Sequence, residues 1–130
     1  MKKNTLIILI LSWFLIPMAF SQNNDCQSFR IGRFSLSDTT YNKEYLIVRN
    51  DSLQIETDLE TGYVSTYKLI WESDCKYVLT VIDGQKDVME FYKDRKLSIE
   101  IIELYADSYK FSAQVEGLDM VFYQIVKRAK

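Results

Sequence analysis

Histidine is absent from the 130 residues. That removes the commonest general base near neutral pH and the commonest transition-metal ligand. No Ser-His-Asp or Cys-His arrangement can be assembled, so most hydrolase mechanisms are excluded at once. A zinc site would have only carboxylates and two cysteines to draw on. Proline occurs once, at Pro17, so nothing later in the chain is barred from the middle of a sheet. Glycine is scarce at four residues, and no Gly-rich phosphate loop, repeat or low-complexity tract is present. No catalytic, cofactor-binding or metal-ligating set is therefore expected.

One long apolar run exists, and it is at the start. Met1-Lys2-Lys3 is basic, Leu6 to Phe20 is almost wholly apolar, and Ala19-Phe20-Ser21 places small residues two apart. This is the pattern of a secretory signal peptide over residues 1–21. The run is shorter than the roughly 20 apolar residues of a membrane span, and Pro17 interrupts it. A lipid anchor on Cys26 would need small, apolar residues before it, but Asn23-Asn24-Asp25 stand there. The expected mature chain is 22–130, a single domain, secreted or periplasmic, with no membrane span left after cleavage. Lys2 and Lys3 leave with the signal, so 14 basic residues face 18 acidic ones and the net charge is −4. An acidic exported domain does not suit nucleic-acid binding, which rests on phosphate neutralisation.

Cysteine is limited to Cys26 and Cys75. In an oxidising compartment they allow one intramolecular bridge. It would close a loop of about 50 residues, worth about 4 kcal/mol of chain entropy. A redox role lacks the Cys-x-x-Cys pair. Free thiols or an intermolecular bridge are the other readings.

Past the signal, the chain is rich in Tyr, Val, Ile, Phe and Thr, which suit a pleated, half-buried surface. Leu53 to Thr57 alternates apolar and polar. So does Tyr109 to Glu116, with Tyr109, Phe111, Ala113 and Val115 facing inward. Asn50-Asp51 suits a tight hairpin. Further turn signals at Asp38, Asp58–Gly62, Ser73-Asp74, Asp83-Gly84, Lys93–Arg95, Ala106-Asp107 and Glu116-Gly117 divide the chain. The spacing predicts strands near 28–37, 43–49, 52–57, 63–72, 75–83, 87–93, 97–105, 108–116 and 119–127, with no run of helical period. Eight or nine such strands make an antiparallel meander, whose edges are protected by closure into a barrel or sandwich.

Two phase breaks stand out. At Gly32 the apolar face switches from Phe29 and Ile31 to Phe34 and Leu36, which predicts a bulge or sharp coil. Ile101-Ile102, between Glu100 and Glu103, predicts another. If the second bulge brings both glutamates onto one face, they face solvent. Asp58, Glu60 and Gly62 faintly resemble a calcium loop but lack its further oxygen ligands, and a hairpin turn is the plainer reading. Asn50-Asp51-Ser52 matches a glycosylation acceptor as well as a turn. The 15 aromatics beyond the signal could fill a barrel or line a pocket in it. Phe29, Phe34, Trp71, Tyr77, Phe111 and Phe122 are the candidate core or pocket lining.

Two stretches, Cys26-Gln-Ser-Phe29-Arg-Ile-Gly32-Arg-Phe34 and Ile70-Trp71-Glu-Ser-Asp-Cys75-Lys-Tyr77-Val-Leu79, carry a resemblance. With Ile47-Val48-Arg49 and Leu53 to Glu56 between them, they resemble a family of short secreted bacterial proteins without a settled function. Its members often carry the label "DNA topoisomerase IV". Such an enzyme cleaves DNA with a tyrosine that follows an arginine, inside a large cytoplasmic assembly. None of the five arginines here precedes a tyrosine, and the chain is short and acidic, so the label is a misannotation for this chain. Gly32-Arg33-Phe34 stands where a lipocalin carries Gly-x-Trp, so the meander is also loosely lipocalin-like. The expectation is thus an all-β, small lipocalin-like barrel that works as a non-enzymatic binding or interaction module. Its partner would be a small apolar ligand or an envelope or extracellular protein. The alternatives are a carboxylate- or tyrosine-based enzyme and a secreted inhibitor.

Overall fold

The computed structural model describes residues 25–130. The expected signal peptide, residues 1–21, lies outside the described residues. The first element is one 3-10 turn, Cys26–Phe29. Asp25 starts it by accepting from the Ser28 backbone N–H at 3.0 Å, the usual service of an aspartate at a helix start. The strand expected from residue 28 therefore begins later. Gly32, at φ +140°, turns the chain from the 3-10 turn into the first strand. An L side chain rarely adopts that conformation. Phe29 lies inside the fold, but Ile31 points out and is 57% exposed, so the expected face of Phe29 and Ile31 is split.

Eight strands follow: β1 (Gly32–Asp38), β2 (Lys43–Arg49), β3 (Leu53–Asp58), β4 (Val64–Ser73), β5 (Lys76–Asp83), β6 (Leu97–Leu104), β7 (Ser108–Val115) and β8 (Val121–Arg128). Each pairs antiparallel with the next, and β8 returns to β1 to close a barrel. Closure removes the long free edges an open meander would expose. The predicted strand at 87–93, the sixth of the nine, is instead the helix α1 (Lys86–Phe91). Lys, Met and Glu favour helix there. Val88, Met89 and Tyr92 are its half-buried residues, a helical spacing that the short segment hid among its aromatics.

The wall is not uniform. β1 and β2 pair over seven positions, but β1 meets β8 only from Phe34↔Arg128 to Leu36↔Val126. β5 meets β6 only from Lys76↔Glu100 to Leu79↔Leu97. Both seams splay toward the end of the barrel that carries the 38–43, 58–64 and 115–121 turns and α1. We call that end the mouth. The other end is closed by the 3-10 turn.

Core packing follows the strand alternation. Tyr109, Phe111, Ala113 and Val115 of β7 are all buried. The Ile101-Ile102 irregularity is a bulge: Ile101 pairs with Phe111, Glu103 pairs with Lys110, and Ile102 is left outside. Glu100 and Glu103 both stand on the solvent side. Glu100 faces Lys76 at 3.9 Å, and Glu103 accepts from the Tyr105 hydroxyl. The Asn50-Asp51 hairpin is also formed. Asn50 Oδ1 accepts from Ser52 and Leu53 N–H.

Candidate functional site

The closed end is built around one arginine. Arg49, the last residue of β2, is buried to 3% exposure. Its Nε donates to Gln54 Oε1 at 2.7 Å and its Nη1 to the Phe29 carbonyl at 3.1 Å. Its Nη2 donates to the hydroxyls of Tyr77, at 2.9 Å, and Tyr109. Four of the five guanidinium N–H groups are thereby used. The cation also lies 4.8 Å from the Phe34 ring centre and 5.0 Å from that of Tyr77, within cation–π range.

The 3-10 turn is held over this cluster as a plug. Cys26 and Cys75 are joined, with Cα atoms 5.2 Å apart, and tie the plug to the turn between β4 and β5 as expected. Arg128 donates to the Ser28 carbonyl at 2.6 Å and lies over the Phe29 ring at 4.4 Å. Gln27 donates to Asp74 at 3.0 Å. Trp71 sits at this end, between the Tyr77 ring at 4.6 Å and the Arg30 guanidinium at 4.7 Å.

Above the cluster is a cavity of about 180 Å³. Aliphatic side chains such as Leu36, Ile47, Leu79 and Leu97 form about half of its wall; aromatic rings and the polar residues Arg49, Gln54, Glu56 and Gln124 form the rest, with Tyr67 and Tyr92 beside Glu56. The six aromatics singled out from the sequence divide between the two regions. Tyr77, Phe111 and Phe122 line the cavity. Phe29, Phe34 and Trp71 pack the closed end. Phe122 is on the inward face of β8 but near the mouth, and it remains 43% exposed.

The unexpected part is β3. Its apolar residues Leu53 and Ile55 take the outer face, and Gln54, Glu56 and Asp58 point inward. Gln54 relays between two charges: it accepts from Arg49, and its Nε2 donates to Glu56 Oε1 at 2.8 Å. Burial pushes the Glu56 carboxyl above its ordinary range, against the pull of Gln54 and Arg49. Asp58 behaves oppositely. Lys43 donates to its Oδ2 at 2.9 Å, and its Oδ1 accepts from Glu60 and Thr61 N–H. The Lys43 hydrogen bond holds the Asp58 carboxyl below its ordinary range. Asp58 is thus committed to closing its hairpin, in the place where the sequence faintly suggested a calcium loop.

These shifts give opposite pH signatures. The folded state holds a proton on Glu56 more tightly than the unfolded chain does. Its contribution is fully present below the unfolded carboxyl range and declines as pH rises through the folded pKa. Glu56→Gln should therefore raise the unfolding midpoint at pH 7 relative to the parent and give no gain near pH 4. Asp58 contributes above the unfolded range and loses that contribution as pH falls through its folded pKa. Asp58→Asn should cost stability at pH 7 and progressively less in acid. Thermal unfolding of both variants across pH checks this, and parallel pH profiles for the two would contradict it.

No protein-family model, curated protein or solved structure matches the chain.

Proposed function

We propose that the protein is a secreted or periplasmic, non-enzymatic binding module that holds a small, mostly apolar molecule inside the barrel. The cavity, stoppered at one end by the disulfide-tied plug, is the observation that supports this most. Its size limits the ligand. An engineered apolar cavity of about 150 Å³ takes up benzene, so 180 Å³ suits a compact ring or short branched chain. A long lipid would need several times that volume.

Native mass spectrometry of the purified protein, followed by thermal unfolding against small hydrophobic compounds, tests the reading. A ligand at about 100 times its Kd should raise the midpoint by on the order of 10 °C. Ala113→Met, which puts bulk into the cavity wall, should abolish that rise without unfolding the barrel. No copurifying molecule and no shift with any compound would remove the proposal.

An envelope or extracellular protein partner is the second reading. Where β1 and β8 part, the mouth half of β8 lacks its β1 neighbour, and Phe122, Tyr123 and Ile125 are exposed beside it. An extended peptide adding a strand there is the kind of contact this edge supports.

A further inference from the structure

Three features of the cavity, taken together, specify more than an apolar ligand. The first is a division of labour among its charged groups. Arg49 lines the cavity floor, but its hydrogen bonds already go to Gln54, Phe29, Tyr77 and Tyr109. It has little left to offer an anion. Glu56 is different. Oε1 accepts from Gln54, while Oε2 has no hydrogen-bond partner among the described residues. A carboxylate with an open oxygen inside a cavity calls for a donor, and a charged donor makes the stronger bond.

The second feature is aromatic. Tyr67 and Tyr92 line the cavity with Glu56. Their rings meet edge to face with centres 6.3 Å apart. Both phenols lie near enough to Glu56 for its charge to add to the upward push that burial gives them. Ring faces beside a carboxylate make a setting for a small cation.

The third is the way in. A groove at the mouth leads to Glu56 between the β3 end and α1, and it carries Asp58 and Asp87 against Lys43 alone. Lys43 is itself neutralised by Asp58 at 2.9 Å. A cation approaches this groove down the potential gradient, whereas an anion meets repulsion.

We propose that the cavity is a site for a small primary amine, its ammonium group paired with Glu56 beside Tyr67 and Tyr92 and its apolar body against Leu79 and Leu97. The assignment rests on the reading of the cavity as a ligand site and names the chemistry of its occupant. An anionic ligand would place a second negative charge beside Glu56, answered among the cavity-lining residues only by Arg49, whose N–H groups are nearly all committed elsewhere.

Three probes of one shape distinguish the possibilities: 2-phenylethylamine, 2-phenylethanol and phenylacetate, titrated calorimetrically into the disulfide-bonded protein at neutral pH. The amine should bind most tightly and phenylacetate least. Glu56→Gln should weaken the amine roughly tenfold to a hundredfold, the range for losing one charge-assisted hydrogen bond, and leave the alcohol within about twofold. Tyr92→Leu, at the other side of the head group, should weaken the amine several-fold more than the alcohol. Acidification should loosen the amine alone. The groups that set this response are Glu56 and its neighbours Arg49, Tyr67, Tyr92 and, at the mouth, Lys43, Asp58 and Asp87. If alcohol or phenylacetate binds as well as the amine, or Glu56→Gln changes nothing, the amine assignment is overturned and the cavity reading stands. If none of the three binds, the amine assignment is overturned, and the cavity reading falls with it when no molecule copurifies and no other small hydrophobic compound shifts the unfolding midpoint.

Discussion

Arg49→Met is expected to destabilise the barrel by about 3 kcal/mol or more, a large share of the 5–15 kcal/mol that holds a domain of this size together. The methionine fills much of the same volume, so a void contributes little. The loss comes from acceptors left behind. The Phe29 carbonyl and Gln54 Oε1 receive their Arg49 hydrogen bonds at 3.1 and 2.7 Å inside the protein, and each orphaned buried acceptor costs about 1–3 kcal/mol. Tyr77 and Tyr109 suffer less, because their hydroxyls are already 3.2 Å apart and can bond each other. Relief from burying a cation works in the opposite direction. It does not win here, since only one member of the network has been removed. Adding Gln54→Leu should return part of the loss, with a coupling of about 0.5–3 kcal/mol between the two sites. Arg49→Lys should not rescue, because an ammonium cannot reproduce the planar fork that serves four acceptors. Urea unfolding of the parent, Arg49→Met, Gln54→Leu, the double variant and Arg49→Lys measures these terms. A variant Arg49→Met within about 0.5 kcal/mol of the parent, the range of ordinary surface changes, would show that the network is dispensable.

Arg49 also shows where sequence reasoning reached its limit. It stands directly before Asn50-Asp51, and a charged residue at a hairpin shoulder ordinarily faces water. Apart from Gln54, five residues on, its partners lie 20, 28 and 60 residues away, in the plug, β5 and β7, so its burial exists only once the barrel has closed. The strands themselves were legible, because alternation and turn residues are local. Tyr109 to Val115 carries its inward face in its own pattern. The phase of β3 was not legible in the same way. Leu53 to Thr57 alternates just as cleanly, yet the polar set faces in, because Gln54 and Glu56 answer a buried guanidinium that the local pattern does not contain. On β2 both faces are apolar, Tyr45 and Ile47 against Leu46 and Val48, so the neighbouring strand could not set the phase either. The short segments fared worst. A four-residue 3-10 turn and a six-residue helix are too brief to show a period: the expected strand at 28–37 overlaps the last two residues of the turn, and the expected strand at 87–93 overlaps most of the helix. Glu56 lay hidden for the same reason as Arg49, and a polar residue opposite Ile47 in the hairpin register was the only signal available.

Replacing both cysteines with serine is expected to cost about 4 kcal/mol, the chain-entropy value for a bridge spanning 49 positions. The further question is whether the plug leaves the barrel when the bridge is gone. We expect it to stay. Arg49 and Arg128 still donate to the Phe29 and Ser28 carbonyls, Gln27 still donates to Asp74, and the Phe29 ring remains enclosed. The bridge would then act mainly on the unfolded chain, by restricting it. Hydrogen exchange separates the two cases, because the Ser28 and Arg30 amides are bonded within the plug, to Asp25 and Gln27. In the double serine variant those amides should exchange only as the whole barrel opens, with a lower global free energy. Exchange well below that free energy would mean that the bridge holds the plug in the native state. Arg49→Met placed on the double serine variant removes the bridge and the Arg49 hydrogen bond at once, leaving the plug only its Arg128 and Gln27 contacts and the packing of Phe29. The plug amides should then exchange early while Phe111 and Ala113 of β7 remain protected to the extent that the barrel survives. With the plug open the cavity loses its floor, and any ligand held there should dissociate faster.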